Sequence, residues 1–278
     1  MLEDKIEHSI QVIKHAEKLA LKMQPNIGFH VGFSGGKDSQ VLLELVKMAG
    51  VRYTAIYNVT TNDYADNIRF IRRYYPEVYF DVPKKSYFQL IAEKGLPTIL
   101  NRWCCALFKE SKGVGFVVLT GVRREESVKR SKYNEIAKFT RKKEDRKEIN
   151  LDTMEENQFQ CVNGKDKFMV YPILEWTEKD VWDFIKLRGL PFNPCYKIKG
   201  RVGCAICPFC KPKDTKKYVR EHPKQFQALL HAIEKYRNRK QDNITTLSAQ
   251  DVFEWWLTKD SLKKYLKSKN QINIDFNE

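Results

Sequence analysis

The sequence predicts an α/β fold, a parallel sheet with helices on both faces, on three observations. Short apolar runs of strand length alternate with helical segments through the first two thirds of the chain. The first of these runs leads straight into a Gly-Gly-Lys turn that opens a helix. The chain has 278 residues, 42% of them hydrophobic, enough for one domain of about 200 residues and a smaller appendage.

The elements follow in order. Leu2, Ile6, Ile10, Ile13, Ala16, Ala20 and Met23 recur at helical spacing, so residues 2–23 read as an amphipathic helix. Residues 28–34 read as a buried strand, 40–48 as a helix and 51–59 as a second strand. A helix over 63–75, a third strand over 78–82, a short helix over 87–94 and a fourth strand over 115–121 come next. Residues 123–150 are dense in Lys and Arg and too polar for a core; they read as a loop or exposed helix that covers the site or meets a polyanion. Residues 168–173 return as a strand, and Thr177 with Asp180 marks a capped helix start. Residues 190–213 are loop-like and cysteine-rich. Two helices are expected near 214–238 and 248–258, the second capped by Ser248 with Asp251. The last ten residues read as a frayed polar tail.

Composition sets further bounds. Lys and Arg number 50 against 35 acidic residues, a net charge of +15, which suits a polyanionic partner. No stretch of about 18 apolar residues is present, so no membrane partner is expected. The N-terminus lacks a signal-peptide core, and a cytoplasmic protein is expected. Seven cysteines, clustered and odd in number, favour metal or redox chemistry over a disulfide framework.

The chemistry centres on residues 33–39, Phe-Ser-Gly-Gly-Lys-Asp-Ser. Gly35 and Gly36 let the backbone turn sharply and approach a ligand closely. The next helix aims its free N–H groups and positive dipole end at the same point. Lys37 adds a full charge, Ser34 and Ser39 offer hydroxyls, and Asp38 suits Mg²⁺ or a ligand hydroxyl. The loop therefore reads as a cradle for phosphate or sulfate groups. Three segments follow: residues 1–24 as an N-terminal helix, 25–189 as a nucleotide-binding α/β domain, and 190–278 as a cysteine-rich, metal-binding loop with C-terminal helices.

Ser-Gly-Gly-Lys-Asp-Ser resembles the fingerprint of the PP-loop ATP-pyrophosphatases, whose fold is Rossmann-like (adenine nucleotide alpha-hydrolase-like). Arg102-Trp-Cys-Cys105, the stretch from Thr120 to Ser127 and the stretch from Tyr171 to Trp182 resemble the phosphoadenosine-phosphosulfate (PAPS) reductase family. That resemblance implies an adenine nucleotide ligand: ATP with Mg²⁺, or adenylyl-sulfate or PAPS. It also implies contact between Arg123 and the ligand's anionic groups, which a planar guanidinium suits. Asn58, Thr60 and Thr61 follow the second strand and are candidates for the pocket wall.

Cys195, Cys204, Cys207 and Cys210 fall in the pattern C-x8-C-x2-C-x2-C. All-thiolate ligation fits a [4Fe–4S] cluster or Zn²⁺, and the resemblance favours iron–sulfur. This compact set is similar to that of the PP-loop enzyme of DNA phosphorothioation. Sulfonucleotide reductases that hold a cluster imply another set: Cys104, Cys105, Cys204 and Cys207. The compact set is the first expectation, which leaves Cys104 and Cys105 for sulfur handling or for a place near the nucleotide. Cys161 reads as a plain thiol.

Three functions are compatible with this pattern. In the first, a PP-loop enzyme binds ATP and activates an acceptor, DNA or RNA among the candidates, for sulfur transfer with pyrophosphate release. A cysteine desulfurase or thiol donor would then be a partner, and Lys37, Asp38 and Arg123 would be catalytic. In the second, the enzyme reduces adenylyl-sulfate or PAPS with an external thiol or with Cys104 or Cys105; the absence of a cysteine after Cys210 counts against a self-contained reductase. In the third, the chain is a non-catalytic nucleotide- or nucleic-acid-binding module.

Overall fold

The computed structural model describes residues 1–128, 130–139, 167–200, 202–239 and 246–275. They divide into two compact units: Met1–Asn58, Tyr64–Asp81 and Ser111–Gly203 form the first, and Val59–Asp63, Val82–Glu110 and Cys204–Glu278 the second.

The first unit is built on a six-stranded sheet. Its strands are β1 (Phe29–Gly32), β2 (Tyr53–Asn58), β3 (Tyr79–Asp81), β4 (Val117–Leu119), β5 (Ile136–Phe139) and β6 (Lys167–Val170), in the order β3-β2-β1-β4-β6-β5. All neighbours are parallel except β5 and β6, with Ile136 opposite Val170 and Phe139 opposite Lys167. The central strands carry the apolar runs that a doubly covered parallel sheet requires: Phe29, Val31, Val117, Leu119 and Val170 are all fully buried. From β1 the chain moves outward to β2 and β3 through α2 (Lys37–Ala49) and α3 (Ala65–Tyr74), then returns to β4 on the other side of β1. Right-handed crossovers running in opposite directions from β1 place helices on both faces. They also open a crevice at the carboxyl ends of β1 and β4, where the strand order reverses.

Helix α1 (Leu2–Met23) packs on α2, β1 and β4 and buries Ile13, Ala16 and Ala20 of the stripe read from the sequence together with Val12 and Leu19, which that reading left out; Leu2, Ile6, Ile10 and Met23 are only half-buried. Each large aliphatic side chain buried this way contributes roughly 1.5–3 kcal/mol. Ser9, also buried, donates to the Pro172 carbonyl at 2.7 Å and accepts from the Trp176 indole at 3.0 Å. The Glu178–Leu187 helix begins at the expected capping box, where the Thr177 hydroxyl accepts from the Asp180 amide.

The second unit is helical. It contains α4 (Tyr87–Lys94), α5 (Trp103–Cys105) continuing into a π-helical turn at Ala106–Glu110, and the helices Pro212–Glu221, Pro223–Arg237, Ala249–Thr258 and Leu262–Asp275. Pro223–Arg237 packs on α4 and on its two sequence neighbours. The indoles of Trp103 and Trp256 donate to the carbonyls of Gly95 and Pro97.

Four expectations need correction. The charged tract after Arg123 is neither loop nor exposed helix throughout: two 3-10 turns, Arg124–Glu126 and Arg130–Lys132, lead into the edge strand β5. An edge strand needs one partner and one apolar side, a signal that the surrounding charge conceals. The helix expected over 214–238 is two helices, because Pro223 lacks the N–H needed to continue one and opens the next. The 190–213 loop holds the helix Cys195–Lys199. The tail is helical to Asp275. Cys161, Lys129 and the charged residues 141–147 lie outside the described residues. Among the described residues no helix is long and apolar enough to cross a membrane.

Candidate functional site

The Ser34–Ser39 loop joins β1 to α2 in the first unit, where the crevice is expected. Gly36 is the N-cap of α2, so the helix begins at Lys37. Gly35 has φ +77°, and a Cβ there would stand 2.5 Å from the Asn67 Oδ1; no other residue fits this turn. The two serines hold the loop together. Their hydroxyls lie 3.1 Å apart, Ser34 Oγ accepts from the Gly36 amide, and Ser39 Oγ donates to the Gly36 carbonyl at 2.9 Å. The hydroxyls expected to meet a ligand thus shape the cradle.

Arg123 reaches the loop from the segment after β4. It is 4% exposed. Its Nε donates to Asp38 Oδ1 at 2.7 Å, and its Nη1 to Glu125 Oε2 at 2.6 Å. Glu125 Oε2 also accepts from the Glu178 amide at 2.6 Å. Lys37 Nζ donates to Asp38 Oδ2 at 3.1 Å and lies 3.6 Å from Glu178 Oε1. A buried guanidinium needs such partners, because leaving it unpaired is costly. Gly121 makes the approach possible: a Cβ there would lie 2.7 Å from the Asp38 carbonyl oxygen. The structure therefore brings Arg123 onto Asp38, beside Lys37, at the loop. Thr120 Oγ1 and Asn58 Oδ1, at the ends of β4 and β2, are buried with no hydrogen-bond partner among the described residues; such atoms suit ligand contact.

Three further residues belong to this site and went unnoticed in the sequence. Asn67 Nδ2 donates to the Ser34 carbonyl at 3.1 Å. Asn193, fully buried, donates through Nδ2 to the Gly35 carbonyl at 2.8 Å and to Asn67 Oδ1 at 2.7 Å, and accepts from the Cys195 amide at 2.9 Å. The Lys37 amide donates to Tyr196 Oη at 2.7 Å. Burial pushes the Tyr196 phenol up to about 12, so it is neutral at pH 7. The Asn-Pro before Cys195 was the one available signal, and it reads as an ordinary turn.

The second unit holds a separate cluster. Cys104, Cys105, Cys204 and Cys207 line one cavity together with Lys109 and Tyr87. The Asn62 side chain fixes the cysteine turn, donating to the Ile206 carbonyl at 2.7 Å and accepting from its amide at 3.1 Å. Thr60 and Thr61 also serve local structure. The Thr60 hydroxyl donates to Asp63 at 2.8 Å, and the Thr61 hydroxyl accepts from the Tyr87 amide at 2.7 Å. A thiol hydrogen bond from Cys104 stabilises the thiolate of Cys105, whose pKa falls to about 6 against the effect of burial; Lys109 and Arg102 help. Cys104 rises for the same reason. Cys210 is buried, its Sγ 3.9 Å from the Cys204 carbonyl oxygen, and Cys195 is buried in the first unit. Among the described residues, as arranged, no group of three or more His, Cys, Asp or Glu forms a metal shell. Four soft thiols around one cavity nevertheless have the donor chemistry of an iron–sulfur or zinc site.

The family model described as the phosphoadenosine phosphosulfate reductase domain matches residues 29–210, more than half of the chain. The chain is similar to an uncharacterized protein of Methanocaldococcus jannaschii, 25% identical over 260 residues, which cover 84% of this chain and 57% of that protein. It is also similar to an adenosine 5'-phosphosulfate reductase of Lysinibacillus sphaericus, 26% identical over 192 residues, covering 63% and 70%. Among solved structures, a phosphoadenylyl-sulfate reductase from Candida auris, a phosphate complex, aligns at 15% identity and TM-score 0.41, covering 69% of this chain and 93% of that one. The chain spans 57% and 42% of the first two curated relatives it matches.

Proposed function

This chain belongs to the phosphoadenosine phosphosulfate reductase domain family, and on that footing we propose that it binds ATP on the Ser34–Ser39 loop and activates an acceptor for sulfur transfer. One observation carries the reading: a Gly-Gly-Lys turn opening α2 where the strand order reverses, with a buried arginine directed at it. The loop amides and Lys37 would hold the phosphate oxygens, and Arg123 would exchange a carboxylate for a phosphate. Asp38 would take Mg²⁺. An acceptor oxygen would attack the α-phosphorus while the bond to the bridging oxygen of pyrophosphate breaks, the electron pair leaving with pyrophosphate. A sulfur nucleophile would then displace AMP from the activated acceptor. Lys37 and Arg123 would stabilise the developing charge. The net charge of +15 supports a nucleic acid as the acceptor.

The thiol cavity supports a [4Fe–4S] cluster, with Zn²⁺ as the alternative. Cys104, Cys105, Cys204 and Cys207 line the cavity within one unit, which favours them over the compact set of Cys195, Cys204, Cys207 and Cys210. When bound, such a group would supply sulfur handling or a charged, fixed surface for the substrate. The same tandem set supports a second reading, reduction of adenylyl-sulfate, the activity named for the relative from L. sphaericus.

The test combines anaerobic purification, iron, sulfide and zinc analysis, and titration with ATP–Mg²⁺ and with adenylyl-sulfate. Tighter binding of ATP, with pyrophosphate released when an acceptor is added, is expected. Lys37→Ala should weaken nucleotide binding tenfold or more, about 1.4 kcal/mol, while the melting temperature holds. Preference for adenylyl-sulfate would establish the second reading, and equal binding by wild type and Lys37→Ala would refute the loop assignment.

A further inference from the structure

The Lys37 amide is one of the free N–H groups at the start of α2, those that receive an anion's oxygen in a loop of this kind. In this chain it donates to the Tyr196 hydroxyl at 2.7 Å. That hydroxyl lies over the turn itself, 3.3 Å from where a Cβ on Gly36 would stand. The ring packs against Trp182, centroid distance 5.5 Å and edge-on, and Phe192 at 5.9 Å, which themselves stack at 6.0 Å. The short helix carrying it, Cys195–Lys199, is fixed at its start by Asn193. It ends at Gly200.

We propose that Tyr196 sets the affinity of the loop by competing with the nucleotide for the Lys37 amide: an arriving phosphate or sulfate oxygen must displace its hydroxyl. This deepens the nucleotide reading of the loop and rests on it. The exchange favours the ligand. A neutral phenol is a weaker acceptor than an oxyanion, whose charge-assisted hydrogen bonds are about twice as strong. The hydroxyl satisfies a half-buried amide, and it also screens out weak anions. A free sulfate or a single carboxylate has few other contacts with which to offset the displacement. A polyphosphate also engages Lys37 and Arg123.

Tyr196→Phe removes the competing atom and keeps the ring against Trp182 and Phe192. Binding of ATP–Mg²⁺ and of adenylyl-sulfate is measured by calorimetry on wild type and variant. In parallel, exchange of the Lys37 amide is followed by NMR in ligand-free protein. The variant should bind about three- to tenfold more tightly, the worth of one neutral hydrogen bond, and its Lys37 amide should exchange faster. If wild type binds but the variant binds equally or more weakly, the competition is refuted and the loop assignment stands. If neither protein binds either nucleotide, the loop assignment fails and the proposal with it.

Discussion

Asn193→Ala offers the sharpest test of how the loop is held. The residue is fully buried and its amide makes three contacts: to the Gly35 carbonyl at 2.8 Å, to Asn67 Oδ1 at 2.7 Å and from the Cys195 amide at 2.9 Å. Alanine removes all three and is too small to admit compensating contacts. A buried polar group that loses its partner costs about 1–3 kcal/mol. Gly35 keeps a weak contact from Gln40 Nε2 at 3.4 Å, so its share falls at the low end. Taking the lowest value for each partner gives a loss of about 3 kcal/mol, a large part of a stability on the order of 10 kcal/mol. For a chain of this size that corresponds to about 6–12 °C in melting temperature. Calorimetric or circular-dichroism melts of wild type and variant provide the measurement, with nucleotide titration of the folded variant at 15 °C beside it. Affinity should fall as well, because Gly35 is freed from the conformation that presents the loop amides. A melting shift below about 2 °C, or under 1 kcal/mol, would show that Asn193 does not clamp the loop.

Two other perturbations follow from the same structure. His30 is buried on β1 and its pKa is lowered to about 4 by burial and by Lys167 and Lys112, with Asp81 opposing. The unfolded chain binds its proton near pH 6.5 and the folded one does not, so stability is full above that pH and is lost as pH falls toward 4. Urea titrations at pH 7 and pH 4 should show about 3 kcal/mol lost from this group and a flatter profile for His30→Gln; coincident profiles would show that the histidine charges freely in the native state. Gly121→Ala places a Cβ 2.7 Å from the Asp38 carbonyl oxygen, so it should destabilise by about 1–3 kcal/mol and weaken ATP binding by pushing Arg123 off the loop. Undiminished ATP affinity in that variant would mean that the approach is not needed.

What the sequence made legible was whatever depends on neighbours in the chain. The Gly-Gly-Lys turn between an apolar run and a helix is local, and Lys37 and Asp38 stand where the spacing put them. The Thr177–Asp180 and Ser248–Asp251 boxes span three residues each and form as read. Arg123 was found through a resemblance; its spacing alone says nothing about the 85 residues that separate it from Asp38. Asn67, Asn193 and Tyr196 lie beyond that reach. Their roles rest on hydrogen bonds across 33 to 159 positions, and an asparagine or tyrosine in isolation carries no mark of its partner. Pro223 was legible and passed over: a proline flanked by helix formers signals a break as well as a start. Strand β5 was obscured because composition averages over a tract, whereas pairing with β6 needs only four residues.

The second unit is threaded through the chain and is not appended at one end. Five residues after β2, the stretch from Val82 to Glu110 and everything from Cys204 onward contribute to it. A cysteine cavity made this way cannot be moved as a cassette, since Thr60 and Asn62 arrive from one stretch, Cys104 and Cys105 from another, and Cys204 and Cys207 from a third. An engineer wishing to transplant the thiols would have to carry the sheet that interrupts them. For the same reason an insertion or deletion after β2 disturbs the thiol cavity, although more than forty residues of sequence separate Asn58 from Cys104.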